Sequence, residues 1–256
     1  MISDHLVPDW PAPASVQALS TTRRGGVSSD PYRSLNLGAH TEDSAAAVAE
    51  NRRLLGESLP AAPTWLTQVH GDAVIELPAA VGTDADGAIA RTSGQVCVVM
   101  TADCLPLLLC DRSGSVVAAV HCGWRGLMVD IIARAVDAMA SDDLIAWLGP
   151  AIGPGAYQVG ADLAERFLAT DRAPADAFIE DGPGKVRCDL YRIARAQLGA
   201  CGVTGVWGGD RCTHAEAGTF YSHRRDGDTG RQASLIWLAE SEPHSHRPVS
   251  PMMRTP

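Results

Sequence analysis

Residues 96–122 read V-C-V-V-M-T-A-D-C-L-P-L-L-L-C-D-R-S-G-S-V-V-A-A-V-H-C, and this stretch decides the fold. Three short apolar runs, 96–101, 105–110 and 116–121, follow one another with only Asp-, Ser- and Gly-containing turns between them, the pattern of consecutive buried strands. No helical segment separates them. Strands that arrive in runs favour an α+β protein with a mixed sheet over a doubly wound βαβ fold.

Working outward, further strand candidates lie at 16–21, 64–69, 74–77, 144–148, 203–207 and 234–238. A helix is predicted from Thr41, as N-cap, to Gly56. A second follows Gly126, with Leu127, Ile131, Ala135 and Ala138 along one buried stripe. A third runs over 189–198 and a weaker one over 161–168. Neither an internal repeat nor a linker interrupts 15–240, so one catalytic domain is expected there. The Pro-rich ends, 1–14 and 241–256, are expected to be poorly ordered.

Composition narrows the function. The chain has 256 residues, 46% of them hydrophobic and 20% charged, with a net charge of −9. A field of that sign repels nucleic acid and anionic membrane surface, and no apolar run approaches the ~18–20 residues of a bilayer span. The expected partners are small molecules. Lys185 is the only lysine among 21 basic residues, so Schiff-base and phosphate-loop lysine chemistry is close to excluded and anion binding rests on arginine. The N-terminus lacks the pattern of a signal peptide, and seven cysteines in mostly apolar contexts suit a reducing, cytoplasmic setting.

His70, Cys104 and His121 each end or begin a strand-like run beside a turn signal, so all three could meet at one sheet edge. Two imidazoles and a thiolate suit zinc and leave a fourth position open for water or substrate, as catalytic sites require. Their spacings of 34 and 17 residues mean that the fold, not a local loop, would assemble the site. The same residues also suit a thiol nucleophile, Cys104, with a histidine base. Cys122 would point to the opposite face of its strand from His121 and is read as packing. His244 and His246, in the tail, offer no preformed metal site. Arg23, Arg24, Arg125, Arg224 and Arg225 all lie in Gly- or Asp-containing turns, where a guanidinium fork could hold phosphate or carboxylate. The R-R-G-G turn at 23–26 could add a backbone anion nest.

The motifs T-R-R-G-G-V-S at 22–28, S-L-N-L-G at 34–38, Q-V-H-G at 68–71, T-A-D-C-L-P at 101–106, H-C-G-W-R-G at 121–126, G-P-A-I-G at 149–153 and F-Y-S-H-R-R-D-G-D-T-G-R at 220–231 occur in this order. Together they closely resemble the YfiH-type family, also called laccase-domain or multicopper polyphenol oxidase-like. Cys122 stands where that pattern has alanine. The resemblance implies an α+β mixed-sheet sandwich flanked by helices, related to the cytotoxic necrotizing factor catalytic fold. It also implies a metal site of His70, Cys104 and His121, which double as the catalytic residues. Members resemble zinc-dependent purine nucleoside phosphorylases that act on adenosine, inosine and methylthioadenosine and also deaminate adenosine. Alternatives are a copper-dependent polyphenol oxidase and a cysteine hydrolase of peptidoglycan editing.

Laccase chemistry needs several coppers and hence clustered H-x-H histidines, and the only such pair here is His244 and His246. Deamination needs one open zinc site, with Asp103 as the nearest acid in sequence. The H-x-E with P-C-x-x-C signature of cytidine deaminases is absent. Phosphorolysis needs arginines around phosphate, for which Arg23, Arg125 and Arg225 are the candidates, with Asn36 and His223 as polar contacts to ribose or base.

Overall fold

The computed structural model describes residues 4–240. In chain order the elements begin with β1 (His5–Leu6), β2 (Val16–Thr21), α1 (Ala45–Gly56), β3 (Val74–Glu76), β4 (Gly87–Ala90), β5 (Val96–Thr101), β6 (Leu105–Asp111) and β7 (Val117–Cys122). They continue with α2 (Trp124–Met128), α3 (Ile131–Met139), β8 (Leu144–Leu148), β9 (Gln158–Gly160), α4 (Ala161–Ala169), β10 (Phe178–Glu180) and β11 (Lys185–Cys188). α5 (Leu190–Ala200), β12 (Gly205–Gly208), α6 (His223–Asp226) and β13 (Gln232–Leu238) complete the set.

A six-stranded sheet runs β12-β8-β6-β7-β4-β3, a four-stranded sheet runs β1-β2-β13-β5, and β10-β11-β9 form a small third sheet. Alternation along the strands builds the layers. Leu105, Leu107 and Leu109 of β6 pack with Ile131, Ile132 and Ala135 of α3. Leu108 and Cys110, on the opposite face, meet Cys97 and Val99 of β5 and Ile236 of β13. Beyond the four-stranded sheet, Val96, Val98 and Leu235 cover Leu55 of α1 together with Leu35 and Leu37. The result is a helix, sheet, sheet, helix sandwich, the α+β class expected. Strands 96–101 and 105–111 are buried at every position because both their faces are covered.

The chain crosses from one sheet to the other through A-D-C at 102–104, since β5 belongs to the smaller sheet and β6 to the larger. Asp103, in this crossing at φ 88°, is held by Thr213 Oγ1 and the Arg224 amide, which donate to its two carboxylate oxygens at 2.6 Å each, and its own carbonyl accepts from Ile152.

Several expectations are corrected. Residues 64–69 form bridges only at Thr64 and Thr67, because the Gln68 side chain takes over the pairing with Met100. The helix after Gly126 starts earlier, at Trp124, and breaks where Asp130 turns left-handed at φ 65°. α1 starts at Ala45 rather than beside Thr41, whose hydroxyl instead donates to the Gly38 carbonyl. Asp189 caps α5 by accepting from the Arg192 amide, as the sequence suggests. Within the described part of the N-terminal segment, His5 and Leu6 form a short strand paired with Thr21 and Ser20. The tail 241–256, with His244 and His246, lies outside the described residues. No helix among the described residues is long and apolar enough to cross a membrane.

Candidate metal centre and its cavity

Register explains how three distant residues meet. β6 and β7 pair with Leu105 opposite Cys122, which places Cys104 one step on, opposite Gly123. β4 and β7 pair with Gly87 opposite Val120, which places Asp86 opposite His121. His121 lies on the face of β7 that Val117 and Ala119 turn toward the four-stranded sheet, while Cys122 packs into the helix-side core, as predicted.

Asp86 is the organising residue. Fully buried, it accepts from the backbone amides of Val69, His70 and Gly71 at 3.1, 3.0 and 2.7 Å and pairs with His121 Nδ1 at 2.7 Å. Its own carbonyl accepts from the His121 amide. The carboxylate thus fixes the His121 ring with Nε2 directed away from it, and holds the 69–71 turn in which His70 adopts φ 60°. Gln68 anchors the same turn from the other side by exchanging two hydrogen bonds with the Met100 backbone.

The donor atoms of His70, Cys104 and His121 lie within 4.8 Å of one another, the only such group of three among the described residues. The two rings meet edge to face with centroids 4.7 Å apart. A Cβ at Gly123 would stand 3.1 Å from Cys104 Sγ and 3.3 Å from His70 Cδ2, so glycine there keeps the space between the donors clear. Burial pushes the Cys104 thiol up, but His121 and His70 more than offset this and bring it to about 6. Burial pushes His121 down, and the Cys104 sulfur with Asp86 reverses this, to about 9. The two shifts run in opposite directions, Cys104 down and His121 up, so each group favours the charged form of the other, and a divalent cation could take the place of the shared proton. Donor set, second-layer carboxylate and clear space all fit a metal ion.

The group opens into a cavity of about 670 Å³, lined among others by His40, Arg52, Trp65, Gln68, Met100, Thr101, Arg125, His223 and Arg231, and by no Asp or Glu. The volume falls in the usual range for small-molecule sites. Of the sequence candidates for substrate contact, Arg125 and His223 face it.

The other three are corrections. Arg23 donates to the carbonyls of Arg33 and Ala217 and lies over the Tyr221 ring. Asn36, fully buried, bonds to Thr41 and Asp43 and accepts from the amides of Gly38 and Arg231. Arg225 is spent on the carbonyls of Thr213, His214 and Phe220 and on Asp226. Each is engaged with backbone groups of the protein itself: Arg23 with carbonyls at the surface, Asn36 with amides, and Arg225 with carbonyls that include those of buried Thr213 and Phe220. The R-R-G-G turn is no open nest either, since the amides of Gly26 and Val27 already donate to Ser34 and Asn51. Arg24 pairs with Asp4, and Arg224 donates to the Gln158 carbonyl. Asp103, bound as described in the crossing between sheets, is not among the residues that face the cavity.

Asp86, Arg52 and His40 escaped the sequence reading. Asp86 acts across a strand pair that spacing does not reveal, and Arg52 is one of an exposed-looking pair on a polar helix. Arg231 stood in the last quoted motif without a role.

Fold and site together define an α+β protein, built on two large sheets and a small third one, with a His-Cys-His group in the wall of a cationic cavity. The chain belongs to the family described as multi-copper polyphenol oxidoreductase laccase, whose model matches residues 17–239. It is 50% identical over 238 residues to a purine nucleoside phosphorylase of Pseudomonas aeruginosa, covering 92% of this chain and 98% of that one. It is 49% identical over 243 residues to purine nucleoside phosphorylase YfiH of Escherichia coli (strain K12), covering 93% and 100%. Among solved structures, a Neisseria meningitidis protein superposes with a TM-score of 0.88 at 46% identity, covering 93% of this chain and all of that one. YlmD from Geobacillus stearothermophilus follows at 0.85 and 30%, covering 94% and 98%.

Proposed function

We propose that the protein is a zinc-dependent, cytoplasmic purine nucleoside phosphorylase, acting on adenosine, inosine and methylthioadenosine, that also deaminates adenosine. One observation carries the reading: a His-Cys-His donor group opens into a nucleoside-sized cavity that is rich in arginine and free of carboxylate. The names of two relatives, both purine nucleoside phosphorylases, support the phosphorylase part of this reading.

His70, Cys104 and His121 would hold the ion. When bound, zinc supplies a Lewis acid and lowers the pKa of water, the chemistry that deamination at purine C6 calls for. The chain does the rest. Asp86 fixes the His121 tautomer. Leu66, Val81 and Met100 offer apolar contact for a purine, Arg125 offers donors to ribose or phosphate oxygens, and His223, whose Nδ1 donates to the Gly227 carbonyl, has Nε2 left as an acceptor for a ribose hydroxyl. The cationic wall balances phosphate charge near C1′ as the glycosidic bond breaks.

The test is incubation of purified, zinc-loaded protein with adenosine or inosine and phosphate, with chromatographic separation of the products. Free base with ribose 1-phosphate is expected, together with inosine from adenosine. Untouched nucleosides would refute the reading. The family description itself raises a copper oxidoreductase. Metal analysis separates the two, with about one zinc per chain expected here and several coppers there. A cysteine hydrolase using the Cys104 thiolate would keep its activity after chelation.

A further inference from the structure

We propose that Arg52, Arg231 and the Thr101 hydroxyl form a subsite for inorganic phosphate within the cavity, beside the His-Cys-His group. The identity of the ligand rests on the phosphorolysis reading; the anion site itself does not.

The chain carries a net charge of −9, yet the cavity gathers Arg52, Arg125 and Arg231 with no acid among its lining residues. A concentration of charge opposite to that of the whole molecule needs a counter-charge. Arg52 and Arg231 are both half-buried and come from separate segments, α1 and the residue that leads into β13. Arg52 lies over the Trp65 ring at 4.0 Å and donates through Nε to the Leu37 carbonyl. Its Nη2 makes only a 3.8 Å contact with Met100 sulfur. Arg231 donates through Nη1 to the carbonyls of Thr229 and Gly230. These bonds hold the forks in place and leave Arg52 Nη1 and Arg231 Nε and Nη2 without an acceptor among the described residues.

Neither arginine meets a carboxylate within the described residues, whereas neighbouring Arg53 bridges Glu50 and Glu57. Thr101 is a second and independent pointer. It is 2% exposed, it lines the cavity, and its hydroxyl has no partner. A buried hydroxyl left unpaired is costly, and an anion oxygen would satisfy it. The positive field of this corner also shows in His40, pushed below its usual value by burial and then by Arg231, Arg52 and His70.

Two guanidinium forks and a hydroxyl from three segments suit a tetrahedral oxyanion better than a planar carboxylate. Arg52, Thr101 and Arg231 line the same cavity as His70, Cys104 and His121, so the subsite shares its space with the metal donors. Phosphate held there attacks C1′ of the ribose. The new C1′–O bond forms as C1′–N9 breaks, and the electron pair leaves with the purine, which takes a proton from solvent.

The test uses the zinc-loaded full chain. Arg52→Gln should raise the KM for phosphate about tenfold or more, as loss of a charge-assisted hydrogen bond predicts, and leave the KM for inosine within about twofold. Thr101→Val should raise the phosphate KM alone by roughly threefold to tenfold. Arg53→Gln, on the outer face of α1, is the control and should change neither. Arg231→Gln is read only if its melting curve matches wild type, since Arg231 also binds backbone. An unchanged phosphate KM in both Arg52→Gln and Thr101→Val overturns the subsite while phosphorolysis stands. If the wild type cleaves no nucleoside, calorimetric titration with inorganic phosphate decides: binding lost in Arg52→Gln keeps the anion site without the phosphorylase, and no binding to wild type overturns it.

Discussion

Asp86 shows what a single residue settles here. It receives three consecutive backbone amides and one imidazole, so its removal would free the 69–71 turn and the His121 ring together. Asp86→Asn should weaken metal binding by about 10- to 100-fold, measured by competition with a chromophoric chelator, while the fold persists. Gly123→Ala should impair metal retention as well, because the new methyl would stand 3.1 Å from Cys104 sulfur. Wild-type metal content in that variant would show that the donors do not need the space.

At this scale the metal-capable set was legible in the sequence, since His70, Cys104 and His121 flank turn signals at strand ends. Arg23, Asn36 and Arg225 misled because a polar residue in a Gly-rich turn looks alike whether it serves a ligand or ties that turn to neighbouring segments. Only the hydrogen-bond partners separate the two cases.

At the scale of elements, the β6–β7 hairpin depends on Asp111. It accepts from the amides of Ser115 and Val116 at 2.7 and 3.1 Å and from the hydroxyls of Ser113 and Ser115. Burial pushes its carboxyl up, and these donors more than compensate, holding it below the usual carboxylate range. The stabilisation is therefore present above the unfolded value near 4 and lost as pH falls through the lower folded value. Asp111→Asn should cost about 1–3 kcal/mol at neutral pH, with the gap from wild type narrowing toward pH 3 in denaturant titrations. A gap that widens on acidification would refute this sign.

The strands β5, β6 and β8 were readable because both faces bury apolar side chains at every turn of the pleat. β4, G-A-I-A, was missed because three of its four residues are small, as the layers above and below leave no room for more. The helix after Gly126 was read as continuous because its apolar stripe runs on through a break that only the left-handed Asp130 reveals.

Across the whole molecule, β6 is shared between two cores, with Leu107 in the helix-side cluster and Leu108 in the inter-sheet cluster. Leu108→Ala should cost about 2–5 kcal/mol in equilibrium unfolding. If the layers are one cooperative unit, circular dichroism and tryptophan fluorescence should report the same shifted midpoint. Separate transitions would show that the two sheets unfold independently.

The crossing of the chain from the smaller to the larger sheet ends at Cys104, and its sulfur shares one small volume with a loop histidine and with a histidine of β7. An ion there would act as a rivet through three pieces of chain that sequence keeps far apart, and its binding free energy would add to that of folding. Chelation should lower the melting temperature and speed amide exchange first at 69–71 and 102–104, ahead of the strands behind them. Loss of such an ion would then loosen the architecture as well as remove its chemistry.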